Sequence, residues 1–263
     1  MDLQLTHKRA LVTGSTAGIG LAIARRLAAE GAEVILTGRT EARIAEARAT
    51  ILAETPGAVV RGVAVDFGKA EEVAHLLREV PEVDILVNNV GIFEPKPFAD
   101  ISDADWLRFF EVNVLSGVRL SRQYFPLMLA AGWGRVVFIS SESGLQIPQE
   151  MIHYGTTKTA QLAVARGLAE LTKGTEVTVN SVLPGPTASE GVEEFIKQMA
   201  AGGKSKEEAE HDFFQNDRPS SLLQRFITTD EIASMVAYLA SPLAAATNGA
   251  SVRVDGGVVR SIG

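Results

Sequence analysis

Ala10-Leu11-Val12-Thr13-Gly14-Ser15-Thr16-Ala17-Gly18-Ile19-Gly20 is the stretch whose reading decides the fold. The run that opens it is apolar, too short for a helix and closed at once by glycine, so it reads as a buried strand. Beyond the turn, Ile19, Ala22, Ile23 and Leu27 recur at helical spacing until Gly31 ends the pattern. Strand, glycine turn and helix in that order can bind an anion. Glycine lets the backbone turn tightly and come close to a ligand, and the first N–H groups of a helix have no partner within it. Gly14, Ser15, Thr16, Gly18, Ile19 and Gly20 are therefore the expected cradle of a dinucleotide pyrophosphate. A glycine turn alone often serves geometry only, so this reading depends on the rest of the chain.

The same alternation continues outward. Apolar strand patterns recur at 33–37, 59–65, 83–87, 135–140, 176–183 and 250–254, with helical patterns between them. Thr40, Ser102 with Asp105, and Thr228 with Glu231 read as N-terminal caps, and the helix opened by Ser102 runs long enough to carry Asn113 inside it. The expected fold is α/β: one doubly wound parallel sheet of about seven strands with helices on both faces, in a single domain over 1–263. Residues 188–225 are more polar. There Val192, Phe195, Ile196 and Met199 keep helical spacing and Ser205 with Glu208 opens a second helix, which predicts a helical flap.

In such sheets ligands lie at the carboxyl ends of the strands. The second strand ends in Gly38-Arg39 with no carboxylate to take a ribose 2′-hydroxyl, so Arg39 favours NADP(H), with NAD(H) remaining possible. After the third strand come Asp66 and Phe67; the aspartate either holds an adenine amino group or caps the helix that follows. The fourth strand ends in Asn88-Asn89-Val90-Gly91, where amides can tie down neighbouring backbone and glycine leaves room for a cofactor. Asn113 is a poor helix former in mid-helix, so its amide is expected to have a task there.

The chain carries a net charge of -7, which disfavours nucleic acid and anionic membrane as partners. It has no cysteine and its four histidines are scattered singly, so no metal site is expected. No signal region or membrane-length apolar run is present, which makes the cytoplasm the expected location.

Ser141 ends the fifth strand, and Tyr154 and Lys158 follow at helical i,i+4 spacing, about 6 Å apart along the axis. A lysine there is expected to lower the phenol pKa toward a useful range. Such a pair is by itself ordinary packing. Together with Thr13-Gly14-xxx-Gly18-Ile19-Gly20, Asn88-Asn89-Val90-Gly91, Asn113 and Pro184-Gly185, however, the sequence resembles the short-chain dehydrogenase/reductase family in its single-domain form, over nearly the whole chain.

That resemblance implies Tyr154 as general acid/base, Lys158 as its partner and a ribose contact, Ser141 as hydrogen-bond donor to the substrate oxygen, and Asn113 as holder of a proton-relaying water. Ser141 matches the family position, rather than Ser140 or Ser143, because it lies thirteen residues before Tyr154 and three before Gly144. The resemblance also puts Asn89, Val90, Gly91, Tyr154, Lys158, Pro184, Gly185 and Thr187 against the cofactor, with Val182 or Leu183 near the nicotinamide, and implies a homotetramer. Two departures are Val90, where the family usually has alanine, and Ala17, where some NADP-preferring members carry a base.

Gln146, with Ile147, Met151, His153, Phe195 and Met199, is the expected substrate contact. That mostly apolar set fits a lipophilic ketone or secondary alcohol, possible forms being a 3-oxoacyl group or, alternatively, a sugar or steroid. Glu142 and Glu150 read as surface charges and His153 as a half-exposed packing residue. A noncatalytic dinucleotide-binding sensor or scaffold is the alternative from another class; relatives of that kind tend to lose the tyrosine or lysine, which this chain keeps.

Overall fold

Neighbouring residues of the strands face opposite sides of the sheet, and here both sides are apolar. Leu11, Ile35 and Leu86 are buried in one core, Val12, Leu36 and Val87 in another. Unbroken apolar runs of this kind belong to strands covered on both faces. A computed structural model describes residues 1–189 and 205–262. Its strands are β1 (Arg9–Val12), β2 (Glu33–Gly38), β3 (Val60–Ala64), β4 (Ile85–Asn88), β5 (Trp133–Ile139), β6 (Glu176–Pro184), β7 (Thr187–Ala188), β8 (Ile227–Thr228) and β9 (Ser251–Val254). Seven form one sheet in the order β3-β2-β1-β4-β5-β6-β9, and every pairing is parallel. The order reverses between β1 and β4, the switch point at which doubly wound sheets open a crevice.

Among the described residues three helices cover each face. Ile23 and Leu27 of α1 (Gly18–Ala29) and Ile44 and Ile51 of α2 (Glu41–Glu54) pack in the first core. Val73 and Leu76 of α3 (Ala70–Glu79) pack in the second. Between β4 and β5 lie α4 (Asp103–Phe110) and α5 (Ser116–Ala131), joined by a π-helical turn at Glu111–Leu115. The single long helix expected there is thus interrupted at Asn113, in keeping with the tendency of π turns to sit at functional positions. α6 (Ile152–Glu170) and α5 complete the second face; α7 (Lys206–Asn216) follows β7, and α8 (Thr229–Ala240) closes the first.

The expected caps are present. Ser102/Asp105, Ser205/Glu208 and Thr228/Glu231 each form a capping box, and Thr40 accepts from Arg43 N. Of the expected flap, α7 is described, whereas Val192, Phe195, Ile196 and Met199 lie outside the described residues. Phe213 of α7 stacks on Phe226 at a centroid distance of 5.2 Å, Phe214 meets it edge-on at 5.0 Å, and Ile227 N donates to Pro186 O at 2.9 Å. These contacts hold α7 and the segment behind it over the carboxyl end of β6.

Candidate active site

The glycine turn is held by groups reaching across from β2 and β4. Thr13 Oγ1 accepts from Asn89 N at 2.8 Å and Val90 N at 3.0 Å, while Asn89 Nδ2 donates to Thr13 O at 2.8 Å and Gly14 O at 3.1 Å. Gly14 and Gly18 have φ of +60° and +53°, a region in which side chains are strained. A Cβ on Gly20 would lie 2.2 Å from Gly14 O, so only glycine lets the helix start this close to the turn. α1 begins at Gly18 with no side-chain cap, leaving its first N–H groups for a ligand.

Ser15 departs from the expectation. It is fully buried, its hydroxyl donates to Val12 O and accepts from Thr37 N, and its own N–H goes to Thr37 O. Its hydroxyl and its N–H both serve the turn and it lines neither cavity, so it supports the cradle without facing it.

Two adjoining cavities run along the strand ends. The one near β2 has a volume of about 280 Å³ and is lined by Gly14, Thr16, Arg39, Asp66 and Phe67 among others. Asp66 Oδ1 accepts from Gly68 N at 2.9 Å, and the residue at the α3 cap position is Lys69, so Asp66 both lines the cavity and shapes its own turn. Asn89 and Gly91 line this cavity and also the second, of about 350 Å³, which includes Ile19, Ser141, Tyr154, Lys158, Pro184, Gly185 and Thr187. An elongated, two-part cleft with uncapped helical N–H groups at its middle fits a dinucleotide.

In the second part, α6 stacks Tyr154 and Lys158 on one face, with Lys158 Nζ 5.6 Å from the phenol ring centroid. Lys158 Nζ donates to Ile139 O at 3.0 Å and Gln161 Oε1 at 3.3 Å. Burial lowers the ammonium pKa to about 8. Asn113 Nδ2 donates to Thr157 Oγ1 and Ile92 O, its Oδ1 accepts from Ile92 N, and its carbonyl accepts from Gln161 Nε2 at 2.5 Å. The visible connection between Asn113 and Lys158 thus runs through the Gln161 side chain. The cleft-facing turn after β5 places Ser141 Oγ against Glu142 Oε2 and the Tyr154 phenol.

The electrostatics differ from the expected ones. Burial pushes the Tyr154 phenol above the usual tyrosine range, the Glu142 carboxylate pushes it the same way, and hydrogen bonding to Ser141 opposes both. Lys158 does not supply the net lowering expected of it in this chain.

The chain matches the family described as short chain dehydrogenase over residues 8–200. It belongs to that family. As a short-chain dehydrogenase/reductase it is an oxidoreductase, and its relatives agree. It is 50% identical over 263 residues, the full length of both chains, to a Bacillus subtilis (strain 168) protein described as uncharacterized oxidoreductase YvaG. It is 34% identical to 3-oxoacyl-[acyl-carrier-protein] reductase FabG of Aquifex aeolicus, over 98% of this chain and 100% of the relative. Among solved structures, L-sorbose reductase from Gluconobacter frateurii, complexed with NADPH and L-sorbose, superposes with a TM-score of 0.94 at 29% identity, covering 100% of both chains.

Several residues of this dehydrogenase/reductase fall elsewhere than expected. Gln146 is exposed and outside the cleft lining; it follows the tight turn at Glu142–Gly144, which directs the chain outward. Val182 and Leu183 lie wholly in the core of β6, and the cleft begins at Pro184. His153 is fully buried against Phe109 and Trp106, and burial lowers its pKa. Glu142, expected at the surface, is 6% exposed and sits inside the cleft. Arg218 reaches it from beyond α7, a contact that no local sequence pattern could have announced. Gln161 does carry a local signal: it lies three residues after Lys158, on the same helical face.

Proposed function

We propose that the chain catalyses hydride transfer between NADP(H) and a carbonyl or secondary alcohol of a small molecule, with Tyr154, Ser141, Lys158 and Asn113 as its working residues. One observation carries this reading: Tyr154, Ser141 and Lys158 line the same cavity as Gly91, Pro184, Gly185 and Thr187. When bound, the nicotinamide supplies or accepts the hydride at the carbonyl carbon. In reduction, Tyr154 gives its phenolic proton to the substrate oxygen while Ser141 holds that oxygen; in alcohol oxidation Tyr154 takes the proton back. Lys158 holds positive charge beside the phenol and donates toward the ribose, with Gln161 linking it to Asn113. Asn89, Val90 and Gly91 face the dinucleotide, and Thr187, whose hydroxyl also bonds Gly185 O at 2.8 Å, faces the carboxamide.

NADP(H) is favoured over NAD(H) because Arg39 is exposed at the mouth of the β2-side cavity with no carboxylate beside it in the lining except Asp66. The NADPH in the L-sorbose reductase complex supports this. Phe93, Met151, Phe213 and Phe226 give the substrate end apolar walls, which supports a lipophilic ketone, and the 3-oxoacyl reductase relative supports that chemistry. Glu142 and Arg218 in the same lining favour a second reading, a hydroxylated, sugar-like ketone, and L-sorbose reductase supports it.

In the same reading the chain is one catalytic domain, assembled as a homotetramer in the cytoplasm. Among the described residues no helix is long and apolar enough to cross a membrane. NADPH consumption with a panel of ketones and NADP⁺ reduction with the matching alcohols test the activity. Absence of turnover across both panels by protein that binds NADPH would favour a sensor or scaffold instead; light scattering tests the tetramer.

A further inference from the structure

Glu142 is a buried carboxylate inside the cleft to which the reaction itself assigns no step. Its Oε2 accepts from the Ser141 hydroxyl, from Ser143 Oγ at 2.9 Å and from Ser143 N at 2.5 Å. Its Oε1 accepts no hydrogen bond among the described residues; the nearest cation is Arg218 Nε at 3.6 Å, an ion pair beyond hydrogen-bond reach. Arg218 spends its other nitrogens elsewhere, Nη2 on Glu150 Oε1 at 3.1 Å and Nη1 on Asp217 O at 2.8 Å. Glu142, Glu150, Asp217 and Arg218 all line the cavity that contains Tyr154. Three acidic residues therefore line it against two cationic ones, Arg218 and Lys158.

Oε1 is open to the cavity, and a substrate that covers it without bringing a donor leaves a carboxylate oxygen unpaired at a cost of about 1 to 3 kcal/mol. A molecule that brings a donor to Oε1 avoids that cost. Its carbonyl oxygen is held by Tyr154 and by the Ser141 hydroxyl turned toward it from Oε2, which sets it beside Glu142, so Oε1 is reached by the atom one carbon away. A methylene there would desolvate Oε1 and satisfy nothing, and a substrate carboxylate there would meet a surplus of negative charge.

We propose that Glu142, steadied by Arg218, is a specificity-determining subsite for an uncharged substrate bearing a hydroxyl on the carbon next to the reacting carbonyl. The inference rests on the oxidoreductase reading of the cleft and names its substrate class. The test uses short 2-ketones in matched sets: the 1-hydroxy ketone, the ketone with methyl in place of that hydroxyl, and the 2-oxo acid of the same size. Values of kcat/KM are measured with saturating NADPH.

The hydroxy ketone should lead the methyl analogue by about 10- to 100-fold, since a site built to bond a hydroxyl rejects its absence, and should lead the oxo acid by more. Glu142→Leu should bring the hydroxy-to-methyl ratio close to one, and Glu142→Gln, which keeps an acceptor oxygen, should restore part of it. Each ratio is taken within one protein, so partial loss of folding does not disturb it, and the wild-type ratios need no variant at all. A wild-type ratio at or below one, or an equal loss on both ketones in Glu142→Leu, would overturn the subsite while leaving the oxidoreductase reading in place. Failure to turn over any member by protein that binds NADPH would overturn both.

Discussion

The two ends of the cleft are built on different principles. The glycine turn presents main-chain groups: its geometry comes from Gly14, Gly18 and Gly20 and is braced by Thr13, Ser15 and Asn89 within two neighbouring strands' reach. The catalytic end presents side chains, and their charges are set through space, by Glu142 beside Ser141 and by Arg218, which reaches Glu142 from beyond α7. Backbone shape is specified locally and tolerates little change; side-chain electrostatics are assembled globally and can be retuned. Substitutions at the two ends should therefore fail differently.

The largest effect is expected at the catalytic end. Tyr154→Phe keeps the ring against Phe93 but removes the proton carrier, so kcat should fall by about 10²- to 10⁴-fold with NADPH affinity unchanged, read from steady-state kinetics and NADPH fluorescence titration. Near-normal turnover would remove Tyr154 from its proposed role. Gly20→Ala should do the converse. Its new methyl meets Gly14 O, so the turn must open, lowering stability by roughly 1 to 3 kcal/mol and weakening NADPH, seen together as a lower Tm and a higher Kd. If NADPH binds the variant as well as wild type, the backbone account of this end is wrong.

Lys158→Met separates charge from fold. The folded-state pKa of about 8 lies below the ordinary lysine value of 10.5, so between those values the unfolded chain binds more protons and wild-type stability rises with pH. Below pH about 8 the buried ammonium costs the native state on the order of 3 kcal/mol. The methionine variant would be spared that cost while losing the bonds to Ile139 and Gln161. The stability difference between variant and wild type should therefore shift toward wild type as pH rises from about 8 to 10.5; a flat difference in denaturation midpoints would contradict it. Arg39→Ser should raise the KM for NADPH by roughly 10-fold and leave NADH unaffected, the loss of one charge-assisted contact.

The smallest change tests how far the catalytic end can be tuned. Glu142 raises the Tyr154 pKa, so Glu142→Gln should move the rising limb of the pH profile for alcohol oxidation to lower pH. A move to higher pH, or none, would show that the carboxylate does not act on the phenol.

Much of this is legible in the sequence, for identifiable reasons. The seven strands and the capping boxes at Ser102, Ser205 and Thr228 follow from period-two and period-3.6 patterns and from residues three apart, which are local signals. Ser15 escapes such a reading because a turn residue looks the same in sequence whether its hydroxyl faces ligand or strand. His153 escapes it because its burial depends on Phe109 and Trp106, more than forty residues away. Glu142 looks like a surface charge for the same reason: its partner Arg218 lies on a separate segment.

The sequence by itself determined the doubly wound sheet, the glycine turn, and the pairing of Tyr154 with Lys158 on one helical face, because each depends on residues within a few positions of one another. Tertiary structure alone decided that Glu142 lies inside the cleft, that the Tyr154 phenol is pushed up rather than down, and that Gln161 joins Lys158 to Asn113. Burial and charge act through space, so their sign at any one atom is set only when distant segments have packed around it.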